Sequence, residues 1–502
     1  MKRILNIILL CTLMVSTFSC KKTETLQKDP AAILSAAPKL IFTGLLLNSS
    51  QAPWSTDQRH NQYMVMNEAY YGNQAYSWTT SDFSAYTQLR NVVRMEVEAQ
   101  KVGAPATAYL ALAKFFRAYF FISATEMFGD IPMSQALKGA SDGMFLPKYD
   151  SQKEVYAQCL QLLEAANTDL TPLVASQTKV DGDFFYNGDL AKWQKLVNSF
   201  RLRVLNSLSK RADDNPDLNI KEQFAAIVNN PTKYPLILTN ADNFQLVYNT
   251  SNVSNNYPLW PSNGIVLKND LRNNLGATYM DILTRTMDPR VFVVALPTEE
   301  SKLSGDPNYA TKFTSFKGGK TGELQTTLKD QAIAGKLSMI NFDYWLASPS
   351  GIPCVQLGAS ETNFNIAEAI NRGWVAGNAA TYFQQGITES LKFYGINNAT
   401  TIANFLTQNA YAGNTVDGLT QILEQKYVAF FQNSGRQAFY NYRRTGIPKF
   451  DIGPANANNN QIPVRWAYPT NEYTVNTVNL KEALQRQFGG ADNQNGVTWA
   501  IK

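Results

Sequence analysis

Residues 106–128 read ATAYLALAKFFRAYFFISATEMF, and the fold follows from how that stretch is understood. Leu112, Phe116 and Tyr119 fall on one helical face and Phe115, Ala118 and Ile122 on a second, so the spacing predicts a helix buried nearly all round. Gly129 stops it and Pro132 bars its continuation, which makes GDIP at 129–132 a structural element. Upstream, Gly103-Ala104-Pro105 separates it from another helix, capped by Ser81-Asp82, with Tyr86, Leu89 and Val93 marking its faces. The pattern is therefore a pair of helices joined by a tight turn.

The same unit recurs. Ser151 to Leu170 carries Val155, Leu162, Leu163 and Ala166 at helical spacing. Residues 189–210 place Leu190, Trp193, Val197, Phe200, Val204 and Leu208 on one stripe, with Asp189 at the positive end of the helix dipole. Helical rhythm returns at 361–375, 377–394 and 418–432. Pairs near 83–128, 151–210, 361–394 and 400–432 predict a mostly α chain, an irregular tetratricopeptide-like scaffold of about four helix pairs. Helical pattern also covers Ala31 to about Leu47. Between the pairs, 230–350 loses the rhythm. There PLILT at 235–239, FQLVY at 244–248 and VFVVAL at 291–296 read as short strands among Asn-, Ser-, Gly- and Pro-rich segments. The end, 435–502, alternates short helical pieces and loops.

The chain opens MKRILNIILLCTLMVSTFSCKKTETLQKDP. A basic start, an apolar run from Ile4 to Val15 and small residues before a cysteine describe a secretory signal over 1–19. The run is shorter than the roughly 20 residues that span a bilayer. Cys20 resembles the acylated first residue of a bacterial lipoprotein, with 20–30 a polar tether and 31–502 one folded domain. Removing 1–19 leaves 483 residues with 43 basic and 40 acidic side chains, a net charge of +3. With no basic run after Lys22, nucleic acid is excluded as a partner. Cys159 and Cys354, far apart in sequence, are read as buried free thiols, with pairing in an oxidising envelope as the alternative.

One histidine, His60, serves the whole chain. No HExxH or Cys/His zinc spacing, no GxSxG, no GxGxxG and no GxxxxGK[ST] occurs, so metal, triad and nucleotide chemistries have no motif to run on. His60 is read as a plain polar loop residue. Glu361 and Glu368 lie seven apart on one helix and are read as structural. Trp193, Trp374 and the phenylalanines of 115–121 are read as core. Tyr71, Trp78, Trp260, Tyr344 and Trp345 sit instead in polar, aperiodic segments beside Asn73, Gln74, Asn255, Asn256 and Asn341. Rings of that kind complement the flat apolar face of a sugar while nearby amides meet its hydroxyls. These five are the expected ligand-binding residues, with no catalytic residue, metal or cofactor.

Five stretches carry a resemblance: TEMFGDIPMSQAL (125–137), NGDLAKWQKLVNSFRLRVLNSLSKR (187–211), ETNFNIAEAINRGW (361–374), EQKYVAFFQNSGRQAFYNYRRTGIP (424–448) and PVRWAYPTNEY (463–473). In order and spacing they resemble the SusD/RagB family of outer-membrane lipoproteins, specifically its second SusD-like subfamily. That resemblance implies a tetratricopeptide-like scaffold with a loop-rich, short-stranded ligand-binding half packed on it, and no catalysis. It implies a lipid-anchored protein facing outward on the outer membrane, capturing glycan or peptide for a TonB-dependent SusC-like barrel. Members commonly carry an acid where this chain has Asn441, which puts one ion pair in question. Arg443 and Arg444 are read as pinning the C-terminal segment, with an anion site as the alternative. Competing functions are a surface glycoside hydrolase, which needs a pair of carboxylates, and a scaffold that binds only proteins.

Overall fold

The computed structural model describes residues 35–67, 72–261, 264–265 and 273–502. The signal, Cys20, its tether and Tyr71 lie outside the described residues. The scaffold begins with α1 (Pro38–Ser49), α2 (Ser84–Val102) and α3 (Thr107–Phe128), followed by α4 (Gln152–Ala175) and α5 (Leu190–Ser207). It resumes late in the chain with α6 (Ala359–Asn371), α7 (Ala379–Phe393), α8 (Ala399–Gln408), α9 (Val416–Ala429), α10 (Gln437–Thr445) and α11 (Thr477–Phe488). Helices α2 to α5 pack each on the next, α5 meets α6, and α6 pairs with α7 while α9 returns across both. Helix α3 is the centre: 16 of its 22 residues are buried, so it has neighbours on almost every side. Its phenylalanines form an aromatic knot with α5 and α1. The Trp193 ring lies 5.9 Å from Phe115 and from Phe116, and 5.7 Å from Phe42. Its indole N–H donates to Asp183 at 2.8 Å, and that carboxylate also gathers the amides of Phe185, Tyr186 and Gly188. The polar end of the tryptophan is thus satisfied in place.

The Asp189 cap expected on α5 is present, whereas α2 starts after Phe83, which makes no side-chain cap, and the expected Ser81-Asp82 cap amounts to one bond, from the Ser84 amide to Asp82 at 3.2 Å. Ser151 and Glu154 form a reciprocal capping box on α4, and Asp189 accepts from the amides of Ala191 and Lys192 on α5. Gly129 takes φ +96° at the end of α3, and the Asp130 after it accepts from the Gln152 amide and Arg486 Nε. GDIP therefore ties α3 to α4 and α11.

The irregular half holds two small antiparallel sheets among the described residues. One pairs β1 (Met64–Met66) with β3 (Asn273–Leu275); the other pairs β2 (Phe244–Leu246) with β4 (Cys354–Leu357), with an irregularity between Phe244 and Gln245. Two strand expectations fail. Residues 235–239 form no strand, because α5 takes their backbone: Ile237 N donates to Ser199 Oγ at 2.9 Å and Pro235 O accepts from Asn198 at 3.2 Å. Residues Val291–Val294 are a helical turn, launched by Asp288-Pro289 and locked by Arg290, whose guanidinium is wholly buried on Asp288, Ser390 and Gln425. A four-residue apolar run fits a buried turn as well as a strand.

Buried ion pairs join the halves. Arg203 forks onto Glu361 with two 2.6 Å bonds, and Arg444 forks onto Glu368 at 2.5 and 3.0 Å. Both glutamates are therefore structural, as expected. Against the cost of burial, Arg444 and Arg372 hold the Glu368 carboxyl well below the usual range. Asn441 Oδ1 accepts from Arg444 at 2.8 Å and from Lys426 at 3.3 Å, so a neutral amide stands between the two cations. Arg443 reaches Val464 O at 2.9 Å and pins the C-terminal segment. Cys159 and Cys354 are free and buried, and burial pushes both thiols up, which keeps them protonated and inert.

Candidate functional site

After β2 the chain leaves the sheet as an Asn/Ser turn. Asn249 Oδ1 accepts from Ser251, Asn252 Oδ1 accepts from Ser254, and the Asn249 amide donates to Asn255 O at 3.0 Å. This self-bonded turn delivers Tyr257, whose amide donates to Pro349 O at 2.7 Å. The Tyr257 ring is the hub. Gly351, at φ +50°, lies against it so closely that a Cβ there would stand 2.2 Å from Cγ. Tyr257 Oη accepts from Trp54 Nε1 at 2.7 Å, and Tyr248 meets the ring edge-on at 5.4 Å. Trp54, Tyr248, Trp260 and Tyr344 are each half-buried, with one side on the core. The exposed amides and hydroxyls of 249–255 supply polar groups along the same stretch of chain. Flat apolar rings beside the uncharged hydrogen-bonding groups of 249–255 suit a hydroxyl-rich or amide-rich ligand.

Two of the five expected ring residues fall elsewhere. Trp345 is 1% exposed: its N–H donates to Val294 O at 3.0 Å, Trp54 stands edge-on at 5.0 Å, and Tyr344 covers it at 5.0 Å. Trp78 is 8% exposed and stacks on Trp466 at 5.8 Å, with Phe439 and His60 completing the shell. Both are corrections with one cause: distant chain returns to cover aperiodic residues, and no local period reports that. Of their polar neighbours, Gln74 is buried and clamps both backbone groups of Met66, and Asn341 caps the Phe342–Trp345 turn. Trp260 and Tyr344 keep an open side. Trp54 joins them, with the 2% exposed Tyr257 supporting the face from beneath, and their signal is in the sequence: tryptophan directly after Pro53 and tyrosine directly before Pro258, both in polar chain.

His60 is no plain loop residue. It is 5% exposed, packed 4.4 Å from Trp78, and neither ring nitrogen has a hydrogen-bond partner. Asp57 stands 3.9 Å from Nδ1, but Arg436 already engages that carboxylate at 2.7 Å. Burial first, then Arg436 and Arg59, brings the imidazole down to about 3.

Residues 22–469 match the second SusD-like family, described as starch-binding and associating with the outer membrane, and the chain belongs to it. A SusD homologue from Bacteroides fragilis is 34% identical, with TM-score 0.80 over 93% of this chain and 100% of its own. A second SusD homologue from the same species is 31% identical, with TM-score 0.84 over the same shares. At 21% identity a chitin-binding SusD homologue from Flavobacterium johnsoniae shares the fold, with TM-score 0.70 over 93% of this chain and 98% of its own. No curated protein matches the chain. Among the described residues no helix is long and apolar enough to cross a membrane.

Proposed function

We propose that this protein is a cell-surface lipoprotein, anchored through Cys20, that captures a glycan or peptide and hands it to a TonB-dependent SusC-like barrel without altering it. The observation that carries the binding half of this reading is the aromatic face around Tyr257. There Trp54, Tyr248, Trp260 and Tyr344 keep one side open beside the uncharged 249–255 turn. The uncharged polar groups of that turn suit sugar hydroxyls or peptide amides. The chitin-binding relative supports glycan first. A hydrolase is disfavoured because Glu361 and Glu368, the paired acids of the sequence, are each held by an arginine fork. Attachment by acyl chains fits, since burial of each CH₂ contributes about 0.8 kcal/mol. The test is a glycan and peptide library screened on the purified protein, followed by Trp260→Ala and Tyr344→Ala. Normal binding by both folded variants refutes the site. Recovery from gently solubilised outer membranes without a barrel partner refutes the hand-over.

A further inference from the structure

Away from the aromatic face, a second concavity sits where the scaffold meets the C-terminal third. Its walls are Ser123 and Glu126 of α3, Arg203 of α5, and Ser434, Arg436 and Gln437 around the start of α10. It holds about 60 Å³, room for about four waters. A smaller cavity of about 20 Å³ shares Glu126, Arg203, Gln437 and Tyr440 with it and adds Lys426, Arg443 and Arg444. The charges around this seam do not balance. Five cations line the two cavities, and the carboxylates among and behind them are four: Glu126, Glu361, Glu368 and Asp57. Arg372, at the outer edge of Glu368, adds to the excess. The amide of Asn441 stands between Lys426 and Arg444 and neutralises neither. Arg203 spends Nε and Nη2 on Glu361 and on Gln356 O, and its Nη1 has no partner among the described residues.

A buried guanidinium that turns one free donor to a small wet space, beside a half-buried second guanidinium and an excess of cations, offers an anion a place to bind. We infer that the cleft between α3, α5 and residues 434–440 is a binding site for a small carboxylate, of about acetate size, held by Arg203 and Arg436. Its mouth is open at the half-buried Gln51 and Arg436. Glu126 faces the same space with one long bond, from Gln437 at 3.4 Å, so an arriving carboxylate meets a second one. The charged and titratable groups around Glu126 come from every packed helix: Tyr119 on α3, Tyr156 on α4, Arg203 on α5, Glu361 on α6, Lys426 on α9, and Tyr440 with Arg443 on α10. Burial outweighs the pull of Arg443 and Arg203 and pushes the Glu126 carboxyl up to about 7. Binding of the anion is therefore linked to uptake of a proton on Glu126, which turns a repelling carboxylate into a donor.

The test is calorimetric titration of the full chain with sodium acetate at constant ionic strength, at pH 6 and pH 8, with acetamide as the uncharged isostere. Acetate is expected to bind about tenfold more weakly at pH 8 than at pH 6, and acetamide at least tenfold more weakly than acetate at pH 6. Glu126→Gln, nearly isosteric, is expected to bind acetate at pH 6 as tightly as the natural protein does and to weaken no more than about twofold at pH 8, the share left to Lys426, which burial brings down to about 8. Ser123→Leu, which fills the cleft from the α3 wall, is expected to lose binding. Equal binding of acetate and acetamide, a tenfold pH dependence that survives in Glu126→Gln, or full affinity in Ser123→Leu each overturns the site. Equal competition by chloride shows a general anion pocket and overturns the carboxylate assignment.

Discussion

Acid sensitivity gives the sharpest check on the interior, because the chain has a single histidine and the structure buries it unpaired. An imidazole held at about 3 in the fold and 6.5 in the unfolded chain has a depressed folded value. Its stabilising contribution is complete above 6.5 and is lost as pH falls toward 3. At pH 5, some 1.5 units below 6.5, the loss relative to pH 7.5 is about 2 kcal/mol at 1.36 kcal/mol per unit. Glu126 works the other way. Its folded value of about 7 is raised from 4.5, so its contribution is complete below 4.5 and is lost as pH rises through 7. Between pH 7.5 and 5 it therefore returns about 2 kcal/mol. Both side chains are at most 5% exposed, so solvent screening removes little of either figure. The natural protein is expected to be nearly flat across this window. His60→Phe keeps a ring between Trp78 and Trp466 and forfeits no hydrogen bond, since neither nitrogen makes one. It should gain about 2 kcal/mol on moving from pH 7.5 to 5, while Glu126→Gln should lose about as much. Urea titrations followed by tryptophan fluorescence at the two pH values read all three proteins. If His60→Phe follows the natural protein within about 0.5 kcal/mol at both, the imidazole is already protonated in the fold and the reasoning fails.

Trp260→Ala and Tyr344→Ala are expected to weaken ligand binding about ten- to hundredfold, the loss of one stacking ring, with little change in melting. Trp78→Ala and Trp345→Ala should instead cost about 3–5 kcal/mol of stability, read by thermal unfolding. Breaking the buried fork with Arg203→Met alone should destabilise by about 3–5 kcal/mol, because Glu361 is left charged and unpaired; adding Glu361→Leu should restore most of it, as a double-mutant cycle will show. Cys20→Ala should abolish lipid labelling and release the protein from membranes, and unchanged attachment of that variant would dismiss the anchor.

What the sequence disclosed about this fold is local. Helix α3 announces itself by two apolar faces, α4 by the spacing of Val155, Leu162, Leu163 and Ala166, and α5 by Asp189, because period and caps are properties of neighbouring residues. Trp78, Trp345 and His60 were misjudged for the converse reason: their covers, Trp466, Trp54 with Tyr344, and Trp78, reach them only through the tertiary fold. VFVVAL was ambiguous at its length, and PLILT was overruled by two side chains of α5. At the aromatic face, composition pointed to Trp260 and Tyr344, which the fold leaves half-buried. The hub at Tyr257 depends on Gly351 and Trp54, residues 94 and 203 positions away, and no spacing encodes that meeting.

The return of the C-terminal segment has a consequence for how the chain is made. The Trp466 amide donates to Met127 O, Arg465 Nε to Phe128 O, and Tyr468 Oη to Asp130 O, so the end of α3 is finished by residues more than 330 positions later. The Ala500 amide closes on Gln152 at 2.8 Å. A nascent chain can coil α2 to α5 as they emerge, but the end of α3 stays unfinished until residues 465–500 have been made. Loop closures of that span are slow to form. Truncation from the C-terminal end would therefore strand the first helices rather than trim a spare tail, and a ribosome stalled at residue 450 should display a protease-sensitive scaffold.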